Sequence, residues 1–405
     1  MSEVRKNRAE RAREKKATFG SDVDLLQYQV LNEDQAEVLD LDALTDKDLA
    51  KIIQSGIDLE EESRAGTFLQ ADHRIVHCAA KQTGLELLPM DQALKQYSWL
   101  EELYWQAVPV DTDKYTAQAE IHFQNGYFIR ALEGQRVTTP VQACLYMKHE
   151  STAQNVHNII IAEEGSELNI ITGCATAPNL QSGLHIGISE FYVKRGAKLT
   201  FTMIHDWAQD VVVRPRSAIV VEEDGLFLSN YVCLKPVRSL QMYPTTRLTG
   251  PGAVARYHSI LLAPPGCELD TGARVVLEAP HTRAEIISRT LTTGGVIQAR
   301  GHLRGLETNV KAHLECHGLI LSDEGIIHAI PELEGHRAGV EMSHEAAVGK
   351  IAEEEIEYLM ARGLTEEEAT ATIVRGFLNV QIEGLPHELQ ARVDQAIQES
   401  EKSML

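Results

Sequence analysis

The chain has 405 residues, 43% hydrophobic and 24% charged, with only 5% aromatics and a formal net charge of −21. That length supports one large core or two to three domains, built mainly on Ile, Val, Leu and Ala. So acidic a body repels phosphate backbones, which excludes general nucleic-acid binding, and no apolar run reaches the ~18 residues of a membrane helix.

The first 16 residues carry seven bases (Arg5, Lys6, Arg8, Arg11, Arg13, Lys15, Lys16) against Glu3, Glu10 and Glu14. They contain no apolar segment of the secretory type, so a soluble cytoplasmic protein is expected. Structurally they predict a solvated helix laced with i,i+4 pairs. Residues 1–115 as a whole read as a helical region. Thr45 and Asp48 open a helix whose face holds Leu49, Ile52 and Ile53, with Gly56 to end it. A second helical stretch runs from Asp91 to Val108, its Trp99 and Trp105 anchoring it to the next domain.

From residue 116 to about 340 the period changes. Leu168–Thr172, Leu199–Met203 and Leu226–Val232 are short β-rich segments, each following a glycine turn at Gly165, Gly196 or Gly225. A weaker copy follows Gly252. A turn–strand unit recurring at that interval with no helix between copies predicts stacked β-coils, a solenoid or β-helix. A β-sandwich is the competing arrangement.

From about His344 the helical period returns, giving a C-terminal helical domain over 341–405. Ile356, Leu359 and Met360 share a face and Gly363 is a stop. Thr365 and Glu368 form a capping box before Ile373 and Phe377, and Pro386 starts a further helix with Leu389, Val393 and Ile397 in register. Ile351 to Leu405 holds 12 acidic and four basic residues, so this unit must dock on the solenoid or on a partner.

The chemistry-bearing motifs are few. There is no Walker A pattern, no GxGxxG, no HExxH and no GxSxG, so nucleotide chemistry must come from a partner. The six cysteines (78, 144, 174, 233, 267, 316) form no CxxC and no disulfide framework, and most are expected to be small buried hydrophobes. Two stand out. Cys174 sits between Gly173 and Pro178, at a turn leaving a strand, where a thiol is accessible. Cys316 lies in His313-Leu314-Glu315-Cys316-His317, and His344-Glu345 follows at the next junction; thiolate, imidazole and carboxylate together suit iron or zinc.

These residues also fall in an ordered series. Gly173-Cys174-Ala175-Thr176-Ala177-Pro178, Gly183-Leu184-His185 and Ile204-His205-Asp206-Trp207 are followed by Cys316, Ser343-His344-Glu345-Ala346, Gly349-Lys350-Ile351, Tyr358, Arg362-Gly363-Leu364 and Gly376-Phe377. The series resembles the SufB/SufD family, scaffold components of the Suf iron–sulfur cluster assembly machinery. Tyr97-Ser98-Trp99-Leu100 and Val110 to Tyr115 resemble its shorter members.

The resemblance implies a right-handed parallel β-helix flanked by helical domains and a dimer joined through the β-helices. It further implies a SufC-type ABC ATPase held by the C-terminal helical domain. Cys174 would receive sulfur from a cysteine desulfurase or other donor. Cys316 would be the thiol where an iron–sulfur cluster forms, with His344 and Glu345 beside it. SufB proteins typically read Glu-His-Glu and SufD proteins Ser-His-Gly where this chain reads Ser343-His344-Glu345. The mixture fits a single-component, SufB-like homodimeric scaffold that is not itself an enzyme. A SufB–SufD-type heterodimer, or a SufD-like structural subunit without its own cluster ligands, is the alternative. Cys78 and Cys233 lie outside the matched blocks and are expected to be bystanders.

Overall fold

The computed structural model describes residues 3–31, 44–57 and 64–378. Its body is a β-solenoid of about eight turns with helices towards both ends. The coils alternate between two sheets of 12 and 10 strands, and two of them enter the larger sheet as a broken pair, Asp210–Val213 with Arg216–Val221 and Ser239–Met242 with Thr245–Leu248. Parallel pairing between coils runs through nearly the whole body, from Arg136–Met147 against Glu167–Thr176 to Lys311–Ile320 against Glu341–Gly349. Parallel strands of one sheet cannot be joined by tight hairpins, and the solenoid meets this by returning through the other sheet. A sandwich of antiparallel strands is thereby excluded.

The recurring turn has a specific backbone cause. Gly165, Gly196, Asp224 and Gly252 all lie in the left-handed region, at φ 66, 64, 53 and 74°. Their N–H groups donate in turn to the carbonyls of Arg195, Glu223, Pro251 and Pro280, one coil further on. The third left-handed residue is therefore Asp224, not Gly225; Asp tolerates this conformation better than other side chains. The copy after Gly252 is no weaker than the rest, since Val254–Ala263 pairs along its full length.

Three further expectations need correction. Residues 1–115 are not wholly helical: Gly66–Ala71, Arg74–Ala80 and Leu85–Pro89 are strands that start the two sheets. Phe68 enters the interior core and Leu69 packs outside, so the first strand is buried on both faces and shows no alternation. The basic helix Glu3–Ala12 is docked rather than solvated. Arg5, 9% exposed, bonds Glu120 at 2.8 Å and Glu101 at 3.0 Å, and Arg8 bonds Asp111 at 2.7 Å. Finally, the C-terminal helices begin at Glu353, because Glu341–Gly349 is the last strand of the solenoid.

The helical stretch expected from Asp91 to Val108 is broken into a helix over Met90–Gln96 and a short 3-10 helix over Ser98–Glu102, with turns beyond it. The two capping boxes form as read. Thr45 and Asp48 make a reciprocal capping box on the helix Asp46–Gln54, and Thr365 and Glu368 make another ahead of Glu366–Leu378. The helix expected from Pro386 lies outside the described residues. Among the described residues no helix is long and apolar enough to cross a membrane.

The helices cover the outer faces. Helix Asp46–Gln54 sits over Cys144, Tyr146 and Ile171, while Val374 and Leu378 pack on Val232, Ile260, Leu262, Leu291 and Leu319. Tyr104, Trp105 and Tyr115 cover the other sheet at Ile159, Ile186 and Ile188. Glu190 pins this last layer. Fully buried, it accepts from the backbone N–H groups of Trp105 (2.7 Å), Ala107 (2.6 Å) and Val108 (3.0 Å) and lies 2.8 Å from His157 Nε2. A buried carboxylate is tolerable only when so fully bonded. The tryptophan anchor expected at Trp105 is thus fixed by a polar clamp as well as by burial.

The turn geometry gives a direct test. Gly196→Val forces a β-branched side chain into the left-handed region and should cost about 1–2 kcal/mol. Asp224→Gly should leave stability unchanged or raised, both read by denaturant unfolding.

Candidate functional site

Strand register decides what the candidate residues can reach. In a parallel pair, residues directly opposite share a face and alternate residues point to opposite faces. In Glu167–Thr176, Cys174 points into the solenoid with Leu168 and Ile170, and belongs to the interior core. It is 2% exposed, two residues before the strand ends, so the accessible turn position expected for it is not observed. Burial pushes its thiol well above the ordinary cysteine range.

Cys174 is opposite Leu145 in the preceding coil and His205 in the next, and His205 is in turn opposite Cys233. Cys174, His205 and Cys233 therefore form one inward column, all at most 3% exposed. His205 Nδ1 lies 2.8 Å from the hydroxyl of Tyr231, whose own column leads through Ser259 and Ser288 to Cys316. Sequence reading missed His205 and Tyr231 as a unit. The signal was available, because one coil interval beyond Cys174 falls on His205.

Cys316 lies on Lys311–Ile320, where Ala312, Leu314 and Cys316 point inward and His313, Glu315 and His317 outward. It is 3% exposed, and burial pushes its thiol up. The final strand pairs His344 with Leu314, Glu345 with Glu315 and Ala346 with Cys316. His344 thus shares the inner face with Cys316, two residues along, whereas Glu345 is on the outer face. Both are exposed because no coil follows theirs. The expectation that His344 and Glu345 open a helix is corrected here: register with the strand below overrides the helix-favouring Glu, Met and Ala around them.

Glu345 lies opposite Glu315 on the outer face, beside a group to which it makes no polar contact of its own among the described residues. His317 Nε2 is 2.8 Å from Glu315, His313 Nε2 is 3.8 Å from it, and His313 Nδ1 is 2.9 Å from Ser343 Oγ. A matching group, absent from the sequence reading, lies on the other sheet. There Glu334 contacts His302 Nε2 at 2.8 Å and His336 Nε2 at 3.1 Å. Among the described residues no three His, Cys, Asp or Glu side chains converge closely enough to hold a metal ion. One chain carries the donors but does not gather them.

The comparisons with known proteins decide the family. Residues 145–377 match the family described as "SUF system FeS cluster assembly, SufBD core domain". The chain belongs to the SufBD family. An iron–sulfur cluster assembly SufBD family protein of Archaeoglobus fulgidus is 49% identical over 358 residues, covering 88% of this chain and 96% of that one. The MTH1150 homolog of Methanothermobacter thermautotrophicus strain Winter, in the same family, is 48% identical over 405 residues, 98% of each. The iron–sulfur cluster assembly protein SufB of Bacillus subtilis is 30% identical over 349 residues, covering 84% of this chain and 75% of that one. The SufBD match covers the coils that carry Cys174, Cys316, His344 and Glu345.

Five of the six free cysteines are buried and Cys78 is partly so. Burial pushes the thiols of Cys144 and Cys233 up to about 12 and that of Cys78 to about 11. Only thiolates react, so a thiol reagent at pH 8 should label the native protein slowly. At Cys78, Cys144 and Cys233 the rate should rise about tenfold per pH unit, and all six cysteines should react at once in denaturant.

Proposed function

We propose that this SufBD family protein is the scaffold on which an iron–sulfur cluster is built. Sulfur is accepted at Cys174, and the cluster forms at Cys316 with His344 and Glu345. The carrying observation is the end of the solenoid, which no described residue caps. Among the described residues the last strand has no partner along its outer edge, and Ile326, Leu333 and Val348 are 52, 37 and 41% exposed around it. An exposed parallel edge with apolar side chains favours pairing with a second chain, a homodimer or a SufB–SufD-type heterodimer. Cys316 and His344 on the inner face of that end, with Glu345 just outside, give each chain an incomplete thiolate–imidazole–carboxylate set. A second subunit would complete it.

The interior supports a protected route between the two thiols. A cavity of about 60 Å³ lies between them, lined in part by Ser229, Ser259, Ser288, Tyr231 and Tyr257. Hydroxyls spaced along an otherwise apolar core suit passage of a small polar sulfur species.

The drive would come from a SufC-type ABC ATPase. Helix Glu353–Met360 buries none of its residues and exposes Tyr358 and Met360 by 58 and 43%. Deleting the tail would strip Val374 and Leu378 from the solenoid, so point changes are the cleaner probe. Tyr358→Glu with Met360→Glu should abolish co-purification with the ATPase and leave the melting temperature unchanged. Undiminished binding would place the docking surface elsewhere.

A second reading, a SufD-like structural subunit, is favoured by Glu345 lying on the opposite face from Cys316. Anaerobic reconstitution with iron and sulfide separates the two. On the scaffold reading, Cys316→Ser loses stable iron and labile sulfide, and His344→Ala retains cluster about 10-fold less well. Equal loading of wild type and Cys316→Ser would favour the structural subunit.

A further inference from the structure

A thiol inside an apolar core is a poor nucleophile, because the thiolate it must form is the species burial disfavours. If Cys174 accepts sulfur, something beside it must take its proton. The inner face offers one nitrogen in line: His205, directly opposite Cys174 on the adjoining strand. Its ring is held by two aromatic neighbours. Trp207 meets it edge-on at 5.4 Å, Tyr231 at 5.0 Å, and Nδ1 is hydrogen-bonded to the Tyr231 hydroxyl at 2.8 Å.

We propose that His205, oriented by Tyr231, is the proton acceptor that turns the Cys174 thiol into a sulfur-accepting nucleophile. The inference rests on the reading of Cys174 as the sulfur acceptor and assigns that site a base. The chemistry closes without an oxidant. As the Cys174 sulfur attacks the outer sulfur of a persulfide or polysulfide donor, its S–H proton passes to Nε2 of neutral His205, so that no free thiolate forms beforehand. The S–S bond of the donor breaks as a new one forms on Cys174, and the leaving thiolate or shortened polysulfide takes the proton.

The tautomer this requires is one the neighbours permit. Tyr231 hydrogen-bonds the Cys233 thiol as well as His205. With its hydroxyl donating to the Cys233 sulfur, Tyr231 accepts from Nδ1–H, leaving the lone pair on Nε2. A buried polar chain of this kind fixes which nitrogen is the base.

The other titratable groups around the ring are Cys174, Tyr231, Cys233 and, in the neighbouring sheet, His185. Burial, with a smaller contribution from His185, holds His205 well below the ordinary imidazole range. It is therefore neutral throughout the neutral range, and a weak base whose proton uptake accompanies sulfur attack rather than preceding it. The wild-type rate of Cys174 loading should be nearly flat from pH 6.5 to 8.5. Without the base, loading depends on the thiolate fraction and should climb about tenfold per pH unit.

The test uses the full chain, inorganic polysulfide as donor, and peptide mass spectrometry of persulfide at Cys174. His205→Gln keeps a hydrogen-bonding side chain of similar reach but has no basic nitrogen. It should load at least tenfold more slowly at pH 7, approach wild type at high pH, and melt at the wild-type temperature. Tyr231→Phe, which releases the tautomer lock, should show the same change of profile in weaker form. Wild-type and His205→Gln profiles that coincide would overturn the proposed base and leave the Cys174 reading standing. No loading at Cys174 in the wild type, with sulfur on another cysteine, would overturn that reading itself.

Discussion

Everything in this molecule depends on the hydrogen-bond ladder between successive coils. Because pairing is parallel and in register, a residue's function is set by two coordinates: the column it occupies and whether that column points in or out. Left-handed residues at one corner hold the ladder in phase, and their N–H groups tie each turn to the next. A one-residue slip would turn the inward columns of Cys174 and Cys316 outwards together. The chemistry is thus carried by the register rather than by a loop.

That constraint explains why polar groups are found in the core. A solenoid interior is narrow, and an inward position is flanked by the same position in the coils above and below. Apolar columns such as Ala255, Ala284 and Ala312 simply pack. A polar residue must find its partner within its column or an adjacent one, as His205 does with Tyr231 and Tyr127 with Thr172 at 3.3 Å. Tyr257 and Thr246 pair across the two sheets at 2.5 Å in the same way. Where buried polar atoms are paired, they pair along such short local chains, which offsets the cost of burying hydroxyls. Trp207 Nε1 and Ser166 Oγ, by contrast, are buried without a hydrogen-bond partner among the described residues.

The solenoid was legible in the sequence because its turns repeat a backbone requirement, and glycine meets that requirement most often. The reading slipped by one residue at Asp224-Gly225, where the glycine stands beside the left-handed position rather than in it. The strand Gly66–Ala71 was hidden because Phe68 and Leu69 are both buried, on opposite faces, so no alternation marks it. The last strand was hidden for the opposite reason: Glu341 to Gly349 is exposed and has a helix former's composition. Only the strand beneath it defines its conformation. Motif order located Cys174, Cys316, His344 and Glu345, but not that the first is enclosed or that the last two face opposite ways. Those are properties of register, which adjacent letters do not encode.

The two cysteines occupy opposite situations within one architecture. Cys174 is in the middle of the stack, where coils on both sides exclude water and a sulfane sulfur would be protected from reductants. Cys316 is one coil from the end, where the covering layer is a single exposed strand. A cluster needs four ligand positions around each iron, and a column of inward side chains supplies donors in a line rather than a shell. Ligands can surround a metal only where the line ends and another surface meets it. On the proposed function, assembly at that end and sulfur entry in the interior would therefore not be independent choices. A stacked fold offers enclosure along its length and convergence only at its terminus, and the positions of Cys174 and Cys316 follow that division.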